Sequence, residues 1–142
     1  MLIPDVNVLV DAHRPESGRR ESMGSWLQGA LGGDEVVGWC DHVLAGFLRI
    51  VTNRRIFEEP TSMAQALEVC AVVLDAPAAR RVHPGPEHWR IFAGLCSQVG
   101  ASGNDVPDAY LAALAIERGA TFVTRDRGFD RFAGLRTAGP LT

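Results

Sequence analysis

The chain of 142 residues contains no lysine, since all 14 of its Lys and Arg positions are arginine. A phosphate-loop nucleotide binder needs the lysine of its Gly-rich loop, and Schiff-base enzymes need a lysine amine, so neither chemistry is open to this chain. Cysteine is scarce as well. Cys40, Cys70 and Cys96 are an odd set at wide spacing with no CxxC pair, which points away from a disulfide framework or zinc ribbon and toward buried thiols in a reducing cytoplasm. No apolar run approaches the ~18 residues of a membrane span, and no charged leader precedes the first strand-like run. These absences predict a soluble, cytoplasmic protein without membrane association. The net charge of −3 carries no global field that would attract nucleic acid, so an anionic partner must be met by local arginines or by bound cations.

What is present is ordinary globular usage, with 46% hydrophobic and 22% charged residues, in a length that suits one domain over residues 1–142. Short β-like runs alternate with longer helical ones, which predicts an α/β fold with a parallel sheet and helices on both faces. Leu2-Ile3-Pro4 reads as a buried strand that turns at Asp5 into a helix carrying Val6, Val8, Leu9 and Ala12. A helix is expected over 17–31, a strand at Val36–Trp39, and a helix from Val43 to Thr52 that contains Gly46. Ser62-Met63-Ala64-Gln65 has the capping-box pattern of a helix start. Arg81-Val82-His83 is the candidate third strand, and Pro86 sits where a helix would begin, with Trp89, Phe92, Ala93 and Cys96 on its apolar face. Asp105-Val106-Pro107-Asp108 opens a helix with a small-residue stripe, Thr121–Thr124 reads as a strand, residues 128–132 as one helical turn, and Leu135-Arg136-Thr137 as a last edge strand.

Ligands of open α/β sheets collect at the carboxyl ends of the strands, where Asp5 and Asp126 are expected, and Asp108 begins a helix that joins the same rim. Three converging carboxylates with no lysine among them repel one another unless a cation intervenes, and a hard divalent ion is the simplest such cation. Taken singly, Asp126 also reads as a turn cap before Gly128, and Asp105 and Asp108 as helix-start acids. Asp5, wedged between an apolar strand and an apolar helix, is costly without a partner.

The segments Leu2–Leu9, Phe47–Asn53, Val106–Ala115 and Val123–Phe129 together resemble the PIN-domain family, in particular its VapC ribonuclease toxins, over the whole chain. The resemblance implies a three-layer fold around a parallel sheet of about four to five strands, Mg²⁺ or Mn²⁺ dependence, cleavage of RNA, a homodimer, and neutralisation by a VapB-like antitoxin. It implies Asp5, Asp108 and Asp126 as metal-binding catalytic acids, with Asn7 orienting the site and Thr124 as the hydroxyl preceding the last acid. The chain departs from the family at Gly46, where a glutamate is usual; Asp41 or Asp105 is the candidate replacement. The alternative reading is a degenerate PIN domain that binds RNA or a protein partner without cutting. Arg49, Arg54 and Arg55 are candidate phosphate contacts, Asp130 is a peripheral acid or a surface residue of its turn, and Trp26, Trp39 and Trp89 have core spacing. Segments 43–56 and 61–74 are candidate docking surfaces. A haloacid-dehalogenase phosphatase and a receiver domain share some of this layout, but both need a lysine.

Overall fold

Leu2 and Ile3 begin a strand too short to bury anything alone, and its exit sets the course of the chain. The computed structural model describes residues 1–140, so the last two positions of the expected range 1–142 lie outside the described residues. Strand β1 (Leu2–Pro4) ends at Asp5, whose extended backbone and side chain cap helix α1 (Val6–His13): its Oδ1 accepts the Val6 backbone N–H at 2.7 Å. The chain continues through α2 (Arg20–Leu31), β2 (Val37–Trp39), α3 (Asp41–Val51), α4 (Met63–Asp75), β3 (Ala79–Arg81), α5 (His88–Val99), α6 (Asp105–Glu117), β4 (Thr121–Val123), a 3-10 helix (Arg127–Arg131) and β5 (Arg136–Ala138). The Ser62 hydroxyl caps α4 by accepting the Gln65 N–H.

The five strands form one parallel sheet in the order β3-β2-β1-β4-β5. The chain therefore winds outward from β1 to β3, returns to β4 on the other side of β1, and winds outward again. Right-handed crossovers place α1 to α4 on one face and α5 and α6 on the other. The winding direction reverses between β1 and β4, and that reversal opens a crevice at their carboxyl ends. The two helix groups pack as this requires, α1 against α2 and α3, α3 against α4, and α5 against α6. Trp39, Phe47, Phe122 and Phe129 are fully buried in the core, and each such side chain contributes about 1.5–3 kcal/mol by leaving water. Among the described residues no helix is long and apolar enough to cross a membrane.

Several boundaries differ from those the sequence predicts, each for a tertiary reason. The third strand lies two residues earlier than Arg81-Val82-His83, because Ala79, Arg80 and Arg81 pair with Val37, Gly38 and Trp39. Arg80 and Arg81 are tolerated there because β3 is a sheet edge and both side chains reach solvent. Helix α5 begins at His88 rather than Pro86, since the Glu117 carboxylate accepts the N–H groups of Gly85 (2.7 Å) and Glu87 (2.9 Å) and holds that segment as a loop. Trp89 is 73% exposed and does not pack in the core, and Ala93 is exposed too. The inner face of α5 instead carries Leu95 and the ring of His88, whose Nε2 lies 3.0 Å from the Tyr110 carbonyl. A ring with that polar partner can replace an indole in the interior. The last strand is Arg136–Ala138, one residue later than expected. Cys40 and Cys70 are buried free thiols, while Cys96 is only partly covered.

Candidate active site

Asp5 and Thr124 leave adjacent parallel strands at the same level, since Pro4 pairs with Val123. Their side chains therefore meet across the crevice without any long-range adjustment. The Thr124 hydroxyl donates to Asp5 Oδ2 at 2.7 Å, and the Asn7 amide donates to the same Oδ2 at 3.0 Å and to Thr124 Oγ1 at 3.1 Å. The Asp126 backbone N–H donates to Thr124 Oγ1 at 3.0 Å, so one hydroxyl ties the exit of β4 to that of β1. Asp5 is 5% exposed and Thr124 6%. Burial pushes the Asp5 carboxyl above the ordinary carboxylate value despite the bonds from Thr124 and Val6, and the charges of Asp108 and Asp126 push it further the same way.

The other half of the rim is made differently. Asp108 lies in the first turn of α6, one turn after Asp105, and the Arg131 Nη2 reaches across both, 3.0 Å from Asp108 Oδ2 and 3.1 Å from Asp105 Oδ1. Arg131 also donates to the Gly128 carbonyl, and its guanidinium carbon lies 4.4 Å from the centre of the Phe132 ring. Partial burial raises the Asp108 pKa, with Asp126 and Asp105 adding to the effect and Arg131 opposing it. Asp126 caps the 3-10 helix, its Oδ1 accepting the Gly128 N–H at 2.8 Å, as its turn-cap reading anticipates. Asp126 is thus a capping carboxylate whose charge is also felt at Asp5.

Asp5, Asn7 and Thr124 are therefore in direct contact, and Asp108 and Asp126 act on Asp5 through their charges. Among the described residues no three His, Cys, Asp or Glu side chains are drawn together as a ready-made metal cage. The donor chemistry nevertheless fits a hard divalent ion. Every candidate donor is an oxygen, no lysine competes for the carboxylates, and the buried Asn7 Oδ1 has no hydrogen-bond partner. That orphaned acceptor beside Asp5 would accept a hydrogen bond from a water of a hydrated cation.

Of the two candidate replacements for the carboxylate absent at Gly46, Asp41 is engaged elsewhere, 2.5 Å from Arg81 on the β3 side. Asp105 stands beside Asp108 and shares its arginine. A Cβ at Gly46 would lie 3.4 Å from Val6 Cγ2, an ordinary contact, and Val6 directly follows Asp5. Asp130 accepts the Thr137 hydroxyl at 3.1 Å and so fastens β5. A cleft of about 520 Å³ adjoins Thr124 and Asp126 and is flanked by Arg19, Arg125 and Arg127; Arg49, Arg54 and Arg55 are exposed but do not line it.

Three residues in this region are invisible to motif reading. Asp11 is buried one turn after Asn7 on α1, with its Oδ2 2.6 Å from Arg125 Nε. Its signal was an acid inside an apolar helical run, three residues after Val8. Arg125 becomes informative only once Asp11 is placed beneath it. Arg131 has no local signal at all, because its partners are 23 and 26 residues away in the chain.

The profile of the PIN domain matches residues 2–135 of the chain. The ribonuclease VapC43 of Mycobacterium tuberculosis (strain ATCC 25618 / H37Rv) is 50% identical over 141 residues, covering 99% of this chain and 96% of the relative. Among solved structures, VapBC2 from Rickettsia felis, bound to a DNA fragment from its promoter, superimposes with a TM-score of 0.67 at 17% identity, covering 97% of each chain. The sarcin-ricin loop cleaving toxin VapC20 of Mycobacterium tuberculosis gives a TM-score of 0.67 at 15% identity, covering 96% of this chain and 99% of the other.

Proposed function

The chain belongs to the PIN-domain family and, within it, to the VapC ribonucleases, and from that premise we propose that it is a toxin that hydrolyses RNA phosphodiester bonds at the crevice between β1 and β4 with the help of Mg²⁺ or Mn²⁺. The observation that carries the reading is Asp5: a nearly buried carboxylate at the reversal of the sheet, held by Thr124 and Asn7, its pKa raised by burial and further by two neighbouring acids. Asp5, Asp108 and Asp126 would hold the ion. When bound, the ion supplies positive charge to a phosphodiester oxygen and to the attacking water. Asn7 and Thr124 fix the Asp5 carboxylate in one orientation. The unpartnered Asn7 Oδ1 would accept a hydrogen bond from a water held in the crevice. Arg19, Arg125 and Arg127 flank the adjoining cleft, where guanidinium forks match the phosphates of an RNA strand.

The test is cleavage of RNA by the purified chain with and without Mn²⁺, with Asp5→Asn alongside. Cleavage that survives EDTA, or that Asp5→Asn leaves intact, removes the metal reading. The alternative of a PIN domain that binds RNA or a partner without cutting is favoured by Gly46 and by the guanidinium on Asp108. RNA binding without any cleavage under Mn²⁺ would select it.

The same reading carries a VapB-like antitoxin, a homodimer and a cytoplasmic location for one PIN domain spanning residues 1–142. The antitoxin is supported by a fold shared with the toxin–antitoxin complex VapBC2. The dimer is supported by the exposed apolar side chains Ile56, Met63, Leu67 and Val72, all of which fall in segments 43–56 and 61–74. Light scattering of the chain alone and with the product of its neighbouring reading frame tests both. A strict monomer that ignores that product would exclude them.

A further inference from the structure

The acidic rim already holds one cation, and it belongs to the chain. Arg131 spans Asp105 and Asp108, and its remaining contacts, to the Gly128 carbonyl and the Phe132 ring, come from its own 3-10 helix and the residue after it. Its side chain is 30% exposed and that of Asp108 31%, so the pair is partly shielded from water without being sealed. Arg131 is therefore seated with its Nη2 already directed at both carboxylates. The electrostatic need is plain. Asp105 and Asp108 stand one helical turn apart, Asp126 acts on Asp108 as a further like charge, and no lysine exists to neutralise them.

We propose that Arg131 is a built-in competitor for the divalent ion at Asp108, holding the rim together in the metal-free chain and having to leave Asp108 when the ion binds. Both cations draw on the Asp108 carboxylate, Arg131 through Oδ2, and a guanidinium left within hydrogen-bond distance of a bound divalent ion would be repelled by it. Metal binding is then linked to release of Arg131, and the apparent metal affinity is reduced by the strength of the arginine contacts. The inference rests on the metal reading of the site. It goes further in naming a residue of this chain that tunes the site.

The experiment is calorimetric titration of Mn²⁺ into the wild type, Arg131→Gln, Arg131→Lys and Arg127→Gln, with thermal melting of each in EDTA and in Mn²⁺. Arg127 lies in the same 3-10 helix, is exposed and makes no ion pair among the described residues, so its loss reports the general effect of removing one positive charge. Partly exposed charge pairs of this kind contribute about 1 kcal/mol, so Arg131→Gln should tighten Mn²⁺ binding about three- to tenfold. Arg127→Gln removes a charge beside Asp126 but no contact to a carboxylate, and should tighten binding less than Arg131→Gln does. Arg131→Lys keeps the charge but loses the fork, and should fall between the two. Arg131→Gln should also melt lower than the wild type in EDTA and recover more of the difference in Mn²⁺.

Unchanged or weaker Mn²⁺ binding by a folded Arg131→Gln, or equal tightening by Arg127→Gln, overturns the proposal. Should Arg131→Gln not fold, Arg131→Lys decides: affinity no tighter than wild type overturns it. Asp108→Asn separates the two readings. If the wild type binds Mn²⁺ and Asp108→Asn does not, a failure at Arg131 leaves the metal site standing. If neither binds, both readings fall together.

Discussion

The two halves of the acidic rim are built on opposite principles. Around Asp5 the contacts are short hydrogen bonds among buried groups on adjacent strand exits, set by the β1–β4 register. Around Asp108 they are ionic contacts between partly exposed side chains, made by an arginine that arrives from the far end of the 3-10 helix. The first half is preorganised, because moving Asp5 would break the sheet register. The second is adjustable, because one guanidinium can leave without disturbing any strand. A rim composed this way has a fixed anchor and a movable side, and substitutions in the two should have different signatures.

The largest effect is expected at the fixed half. Asp5→Asn keeps the shape and the cap on α1 but removes the charge, and RNA cleavage in Mn²⁺ should fall about a hundredfold or more with the melting temperature in EDTA unchanged or higher. A loss of less than about tenfold would deny Asp5 the anchoring role. Thr124→Val leaves Asn7, Asp5 and the Asp126 N–H without a shared partner and should lower stability by about 1–3 kcal/mol and activity by about tenfold, with Thr124→Ser restoring both. Equal behaviour of valine and serine at this position would show that the hydroxyl is not what holds the anchor.

A structural counterpart lies just behind the rim, where buried Asp11 meets Arg125, itself 45% exposed. Arg125→Gln should cost about 1–2 kcal/mol, discounted from the value for a sealed pair because water reaches the arginine. The double variant Asp11→Asn/Arg125→Gln should recover part of that loss in chemical denaturation. No recovery would mean that Arg125 acts through packing alone.

The pH dependence sharpens the comparison further. Burial raises the Asp5 pKa in the native chain above the ordinary value of 3.8. A raised native value means that the native state binds the proton more tightly than the unfolded state. The stability due to this group is therefore full below 3.8 and is lost as pH rises through the native value. In EDTA the wild type should gain stability relative to Asp5→Asn as pH falls from neutrality toward 3.8, and saturating Mn²⁺ should reverse the trend because the ion competes with the proton. A constant difference across that range would contradict the burial argument.

The smallest effect is expected from Gly46→Glu. The helix should tolerate the new side chain, since its Cβ makes only an ordinary contact with Val6, and should gain about 1 kcal/mol of helix propensity. Mn²⁺ binding should tighten a few-fold, read by calorimetry. A folded variant with unchanged affinity would show that the position does not face the site.

Much of this molecule was legible in its sequence because local chemistry and tertiary need coincide. Asp5 had to end a strand and cap a helix, Ser62 had to cap α4, and the alternation of short strands and helices already implied a parallel sheet. Where the two diverge, pattern reading failed. Trp89 has core spacing yet faces solvent, because His88 takes the inner position through the Tyr110 carbonyl. Pro86 does not start a helix, because Glu117 holds the N–H groups around it.

The sequence by itself determined the α/β class, the exclusion of lysine chemistry and the acidic strand exits, since these follow from composition and from periodicity over a few residues. Only the tertiary structure decided that Pro4 and Val123 pair, bringing Asp5 to Thr124, that Asp11 lies under Arg125, and that Arg131 spans Asp105 and Asp108. Those contacts join residues from 23 to 119 positions apart in the chain. A side chain carries no local mark of a partner that distant. The partner is set by strand order and by the hand of the crossovers, which exist only once the whole sheet has formed.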